Sequence, residues 1–587
     1  MSKRTFGWVQ NPSSFENLKS LVGIFIPTGH QHSYLLKILD SDLVIKDAKL
    51  RATFKEKLSS NCIVLSYADL VGTGTSIRSQ APCDALGQAS IKPQKAGKLY
   101  TDNWTTDGFV RWAECLGFII YDESSDSFSV TQRGIDFYSS DASFAENKAL
   151  QEAFMSYPPV HRILFELDKA GSDGLSKYEL GSKLGFAGES GFTSIPYSLV
   201  VDTITYESDL QYIKKLRSDI EGSADKYARM ISGWLVKMGW VDNIKRKFNN
   251  LPNETVENLG HCFKITLKGR QILSRLNGGS KHTIIPKYVS WNMLATKAQN
   301  ADYLRTRRYK LLEILNKSNE IELVKLTEKL NEFNLKQGFK LEVNLKNVEK
   351  DIAGLNGCGI FVLVEAGKAK LISKLLPLKP LIQKVEIKNQ EIEELKQIAL
   401  TKYTALPSEW VELIEISRDK DQSTIFEMKV ADLFEKCYRI NSLHLGGASK
   451  PDCLLWGDNF SVIVDAKAYK DGFPFQASEK DKMVRYLREC ERKDKAENAT
   501  EWWNNFPPES NSNQLFFMFA SSFFSSTAEK HLESVSIASK FSGCAWDVDN
   551  LLSGANFFLQ NPQATLQYHL IRVFSNKVVD AEIFSKS

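Results

Sequence analysis

The alternation of apolar and polar positions along this chain repeats as a unit. Trp112-Ala-Glu-Cys-Leu-Gly-Phe118 reads as the end of an amphipathic helix stopped at Leu-Gly. A short polar turn follows, then the alternating strand Phe128-Ser-Val-Thr-Gln-Arg-Gly134, which runs into a new helix. Trp234-Leu-Val-Lys-Met-Gly-Trp240 and Phe263-Lys-Ile-Thr-Leu-Lys-Gly269 give the same order with a longer loop between them. A third, looser copy runs from Arg305 to Leu371. It has a helical stripe of Leu311, Leu312, Ile314 and Leu315, a second helix over Ile321–Leu330, a break at Gly357-Cys-Gly359 and a hairpin over Ile360–Leu371. A helix followed by a two-stranded wing is how a winged helix-turn-helix ends. Such units either read DNA or dock other proteins, and topology leaves both open.

The prolines of Leu376-Pro-Leu-Lys-Pro380 then stop any continuing helix. Beyond them a Glu-, Lys- and Leu-rich helix over Val385–Lys402 opens an α/β pattern. Helices follow at Glu409–Ser417 and Thr424–Lys436, strands around 452–467, a helix at 479–493 and an aromatic strand at Leu515–Ala520. The expected units are 1–150, 151–285 and 286–375, a linker at 376–390 and a last domain at 391–587. The final thirty or so residues carry no pattern that can be placed.

Composition adds less. A chain of 587 residues is too long for one core and fits roughly four domains. No run approaches the ~20 apolar residues of a membrane span, and the first residues lack the apolar stretch of a signal peptide, so a cytoplasmic location is expected. Nine scattered cysteines without a CxxC pair fit free thiols rather than disulfides or a zinc site. The net charge of +4 is unevenly spread: basic residues predominate over 1–380 and acidic ones over 381–587. A basic arm attracts a polyanion by counterion release.

The chemistry-bearing residues lie in the acidic part. Pro451-Asp452 is followed, thirteen positions after the aspartate, by Asp465-Ala466-Lys467 at the end of the apolar strand Ser461–Val464. Residues i and i+2 of a strand share a face, so Asp465 and Lys467 project together. Asp452 opens Cys453-Leu-Leu-Trp456, which the turn Gly457-Asp-Asn459 makes a hairpin partner. Two carboxylates and a lysine suit phosphodiester hydrolysis. Asp452 and Asp465 would hold Mg²⁺ through oxygen, and Lys467 would orient water or offset charge at phosphorus. The bland alternative is an ion pair at a strand edge. Glu427, on the helix Phe426–Phe434, is either an accessory carboxylate or part of a solvated helix face.

His444-Leu-Gly-Gly-Ala-Ser-Lys-Pro-Asp452, Ile463-Val-Asp-Ala-Lys-Ala-Tyr469 and Glu501-Trp-Trp503 closely resemble the cleavage domain of the FokI family of type IIS restriction endonucleases. The resemblance extends through the amino-terminal arm in Arg4–Pro12, Leu70–Ser79, Asp102-Asn-Trp104, Gly188–Ser194 and Gly222–Arg229. Cys453 and Ala466 depart from the glycine and threonine of the family pattern, and neither is a metal ligand. The resemblance implies a multidomain fold: winged-helix recognition domains followed by an α/β nuclease of the PD-(D/E)xK type with a central mixed sheet. It implies Mg²⁺-dependent cleavage of both strands of double-stranded DNA at a fixed distance from a short asymmetric site, GGATG. Asn11, Arg78 and Trp104 in the first unit match its base readers, as do Glu221, Lys226 and Arg229 in the second. The third unit would mainly pack against the nuclease. Each reader also has a structural alternative: Trp104 as core, Arg78 on phosphate, Glu221 with Lys226 as an exposed pair.

Asp481 and Arg485, on the helix Ser478–Arg488, match the family's dimerisation pair. At this spacing they could equally form an intrahelical salt bridge. The resemblance further implies a transient homodimer during cutting and a DNA methyltransferase guarding the host's own sites. Two other outcomes stay open. One is a nickase or an enzyme with a different site. The other is a DNA-binding regulator with a degenerate nuclease, against which the intact Asp452, Asp465 and Lys467 argue.

Overall fold

The computed structural model describes the chain except residues 1–6, 10–11, 74–82, 93–102, 123, 206–210, 212, 214–219, 247–259, 280–283, 297, 299, 379–389, 448 and 585–587. In its amino-terminal part the repeated pattern becomes three small antiparallel sheets, each of three strands. In the first, the helix Asn103–Cys115 leads into the hairpin Ile119–Asp122 and Ser127–Val130, and Leu65–Ser66 adds the third strand. In the second, Ser223–Lys237 precedes Val241–Lys245 and His261–Ile265. Both helices stop where the sequence places a glycine, and Gly117 and Gly239 take φ of +71° and +70°, which side chains with a Cβ rarely adopt.

The third unit corrects two expectations. Ile321 does not begin a helix: Ile321–Glu322 pairs as a short strand with Lys368–Leu371, and the helix runs from Leu323 to Gln337. A further helix, Leu345–Cys358, precedes the wing. Asn344 caps its first turn and Gly359, at φ +87°, ends it, so the expected break at Gly357-Cys-Gly359 is a helix terminus.

The three units share one continuous core. Trp112 stacks on Trp234 with centroids 4.5 Å apart, and the indole of Trp234 donates to the Pro12 carbonyl at 2.9 Å. Trp8 donates to the Met293 carbonyl at 2.8 Å, which ties in the chain entering the third unit.

The carboxy-terminal part is built on a six-stranded mixed sheet. Its order is Asn441–His444, Cys453–Trp456, Phe460–Lys467, Gln514–Ser521, Gly543–Asp547 and Lys577–Val578. The first three strands pair antiparallel and the rest parallel. The strand period of two divides the side chains between two cores. Val462, Val464, Ala466, Met518 and Trp546 pack on one face. Ile463, Phe517, Phe519 and Ala545 pack on the other, beneath the helices Ala477–Arg492 and Ala528–Ser539. The unplaced end of the sequence completes this domain: Lys577–Val578 closes the sheet edge, Phe574 stacks on Phe516 at 4.4 Å, and Phe584 is buried near Trp546. The helix expected from Val385 is described from Gln390 to Lys402, and the segment expected from Glu409 is a 3₁₀ turn at Ser408–Glu412 followed by the short helix Leu413–Ile416.

The carboxy-terminal domain leans on the arm. Met428 enters an apolar cluster of the second unit with Ile195, Leu199, Val200 and Ile204. The helix Tyr197–Thr205 lies along the edge strand Asn441–His444. A buried charge network joins the second unit, the third unit and the carboxy-terminal domain. Arg308 holds Glu189 at 3.1 Å and Asp351 at 2.9 Å, while Lys396 holds Glu412 at 2.6 Å and Glu415 at 2.9 Å. Lys350 reaches across from the third unit to Glu412.

Candidate active site

The register of the two central antiparallel strands assembles the site. Cys453 stands opposite Val464, so Asp452, one residue before its strand, falls beside Asp465. The Asp452 amide donates to the Val464 carbonyl at 3.1 Å, which fixes its backbone. One oxygen of Asp452 accepts from the Ala466 amide at 2.9 Å and from the Lys467 ammonium at 2.6 Å. Lys467 also lies 3.1 Å from Asp465 Oδ1. The strand Phe460–Lys467 presents Asp465 and Lys467 together, while Ala466 turns into the opposite core. Both carboxylates are buried, and Lys467 pairs with each of them.

Burial, then the neighbouring Asp465 and Glu427, push the Asp452 carboxyl well above its ordinary value. Burial opposes ionisation of Asp465 too, but Lys467 and Lys482 outweigh it and hold that carboxyl below its ordinary value. Two like charges confined in one site therefore separate in proton affinity, and they titrate as a unit. Burial works against the charge of Lys467, and the carboxylates of Asp452 and Asp465 reverse this, raising its pKa.

Glu427 is not on a solvated helix face. Its side chain is only 13% exposed and lies 3.4 Å from His444 Nε2, and its charge is felt by both Asp452 and Lys467. Two residues of the site had no assigned role in the sequence. His444 ends the edge strand and reaches Glu427. Lys482, on the helix Ala477–Arg492, donates to Asp465 Oδ1 at 2.8 Å. No spacing rule connects residues 465 and 482, because the helix that brings them together is a crossover between parallel strands.

Among the described residues no three His, Cys, Asp or Glu side chains gather closely enough to hold a metal ion by themselves. Mg²⁺ asks for less, being held by one or two carboxylates and several waters. Asp465 Oδ2 is buried and makes no hydrogen bond. An oxygen left so in a carboxylate held charged fits a hard cation.

The proposed readers and interface residues lie elsewhere. Asn11 and Arg78 are outside the described residues. Trp104 is 43% exposed at the start of its helix, so it is not core. Glu221 does not pair with Lys226. Burial works against its charge, but Lys177 and Arg229, each 2.8 Å from its Oε1, hold the carboxyl below its ordinary value. Lys226 sits half-buried in the first turns of the helix Ser223–Lys237. Asp481 and Arg485 are both exposed, and no ion pair joins them among the described residues. Arg485 turns instead to Glu489 at 3.5 Å.

Comparison with known proteins accounts for the whole layout. Family models match in order: FokI recognition domain, subdomain 1, over residues 4–140; subdomain 2 over 146–281; the D3 domain over 294–367; and the cleavage domain over 389–579. Type II restriction enzyme FokI of Planomicrobium okeanokoites is 40% identical over 566 residues, covering 94% of this chain and 95% of that protein. Type II restriction enzyme StsI of Streptococcus sanguinis is 30% identical over 574 residues, covering 95% and 93%. The solved structure of restriction endonuclease FokI superposes with a TM-score of 0.89 at 38% identity, covering 98% of this chain and all of that one. The structure of FokI bound to DNA gives 0.88 at the same identity and coverage. Recognition subdomains followed by a cleavage domain, matched end to end at this identity, place the chain in the FokI family of type II restriction endonucleases.

Proposed function

We propose that this enzyme binds double-stranded DNA at a short asymmetric site, GGATG, and hydrolyses both strands at a fixed distance downstream with Mg²⁺. One observation carries the proposal: Asp452, Asp465 and Lys467 meet in one buried site. When bound there, Mg²⁺ supplies charge to polarise the phosphate and acidify water. Asp452 and Asp465 would hold it. Lys467, close to both carboxylates, would orient the attacking water or offset charge growing on the phosphate. Glu427 is an accessory carboxylate, steadied by His444.

Units at 1–150, 151–285 and 286–375, with a linker at 376–390 and a nuclease at 391–587, divide the labour. In the first unit Asn11, Arg78 and Trp104 would contact bases. In the second, Lys226 and Arg229 suit guanine O6 and N7, and Glu221 suits cytosine N4. The Lys177–Glu221–Arg229 cluster supports this reading, since it keeps Glu221 ionised as an acceptor. One site cuts one strand, so a double-strand break calls for a second nuclease domain. Asp481 and Arg485, exposed and unpaired with each other, are the proposed contact of a transient homodimer. A DNA methyltransferase in the same bacterial host would protect its own sites. Mapping the ends of plasmids with and without GGATG after incubation with Mg²⁺ tests the proposal. Paired cuts at one offset from GGATG are expected, whereas nicks in one strand, or cuts tied to another sequence, would replace it.

A further inference from the structure

We infer that Lys482 is a resident counter-ion of the metal site: it pairs with Asp465 and lowers the affinity of the site for a divalent cation. This rests on the reading of Asp452 and Asp465 as metal ligands. Asp465 Oδ1 receives two ammonium groups, Lys467 at 3.1 Å and Lys482 at 2.8 Å, while its Oδ2 makes no hydrogen bond. The two cations are not equivalent. Lys467 comes from the same strand as Asp465 and also binds Asp452 at 2.6 Å. Lys482 comes from another element, and Asp465 is its only described ion-pair partner.

The helix that delivers Lys482 is anchored on both sides. Lys482 lies over the ring of Tyr486, 5.5 Å from its centroid, and the Tyr486 hydroxyl donates to the carbonyl of Lys450, two residues before Asp452. Below, Glu489 accepts from the buried indole of Trp502 at 2.8 Å and from Asn498 at 3.0 Å. The ammonium is therefore held at the site by packing. A cation entering at Asp465 must displace it, which costs Coulomb energy in a partly desolvated site.

The test is a titration of the full chain with Mn²⁺ in the absence of DNA, followed by electron paramagnetic resonance of the free ion. Lys482→Gln is expected to bind Mn²⁺ more tightly, on the order of tenfold. Lys482→Arg, which keeps the charge, should bind as the natural chain does, and Asp465→Asn should lose binding. Equal or weaker binding by Lys482→Gln would overturn the inference, weaker binding showing that Lys482 only orients Asp465. If Asp465→Asn still bound normally, the ligand assignment itself would fail. A second measurement on the natural chain does not depend on a folded variant. Acylation of Lys482, read by mass spectrometry, should quicken when Mg²⁺ is added and frees its amine. An unchanged rate would count equally against displacement.

Discussion

Asp465 meets two ammonium groups with one oxygen and leaves the other unbonded, so its removal alters the site more than the loss of one ligand would suggest. Asp465→Asn and Lys467→Ala should each lower plasmid cleavage by roughly a hundredfold or more. Binding to a GGATG duplex, followed by gel shift in Ca²⁺, should persist, because the proposed readers lie in other units. Joint loss of binding and cleavage would refute that separation. Far from the site, Glu189 makes a second residue-scale prediction. Burial, reinforced by Glu412 and Glu415 against Arg308, pushes its carboxyl up to about 7. In the unfolded chain a glutamate titrates near about 4.3, so between these values the folded protein keeps a proton that the unfolded chain has released. The stability this group contributes is present at acid pH and lost as pH rises through about 7. Glu189→Gln should remove that slope, on the order of 3 kcal/mol between about pH 5 and 8. Thermal unfolding across this range checks it, and identical slopes in both proteins would dismiss it.

Among the elements, the helix Ala477–Arg492 does two jobs. Its inner face carries Lys482, Met483, Tyr486 and Glu489 against the site and the hydrophobic core, and its outer face exposes Asp481 and Arg485. Were those two a surface pair, their loss would cost only a few tenths of a kcal/mol and change nothing else. Among the described residues no ion pair joins them, and Arg485 turns to Glu489. Asp481→Ala combined with Arg485→Ala should leave site binding intact, slow double-strand cutting at low enzyme concentration and let nicked plasmid accumulate. Cleavage rates measured across a hundredfold range of enzyme concentration decide this: an unaltered dependence would return the pair to an ordinary surface.

For the whole molecule, both cores of the nuclease lie within residues 399–584, and ~200 residues suffice for an independent fold. Residues 383–587 expressed alone should therefore fold and cut DNA without sequence preference, though weakly, because acidic residues predominate in them. In the full chain, Met428 is seated in the second unit and Glu412 holds Lys350 of the third. If these contacts restrain the nuclease until the site is read, the intact enzyme should spare plasmid lacking GGATG under conditions in which the fragment degrades it. A fragment that is folded by circular dichroism but inert at every concentration would speak against an autonomous nuclease. A fragment that still cuts at one fixed position would place part of the specificity in the catalytic domain.

The sequence alone determined what is local or periodic. Helix-then-wing units show through Leu-Gly and Met-Gly stops, because only a residue without a Cβ takes the required φ cheaply. Asp465 and Lys467 share a strand face because the side-chain period is two. What the tertiary structure decided depends on groups far apart in the chain. Ile321 reads as helical by pattern but pairs with Ala369, since a sheet edge nearby outweighs a weak local preference. Glu221 has an apparent helical partner in Lys226 but turns to Lys177, 44 residues away, and to Arg229. The last residues, unreadable on their own, supply an edge strand and a buried Phe584 whose partners lie elsewhere in the chain. Lys482 reaches Asp465 only after a crossover helix is folded onto a parallel sheet. Periodicity records which face a residue shows, whereas charge pairing is settled by distances that exist only once separate elements have packed.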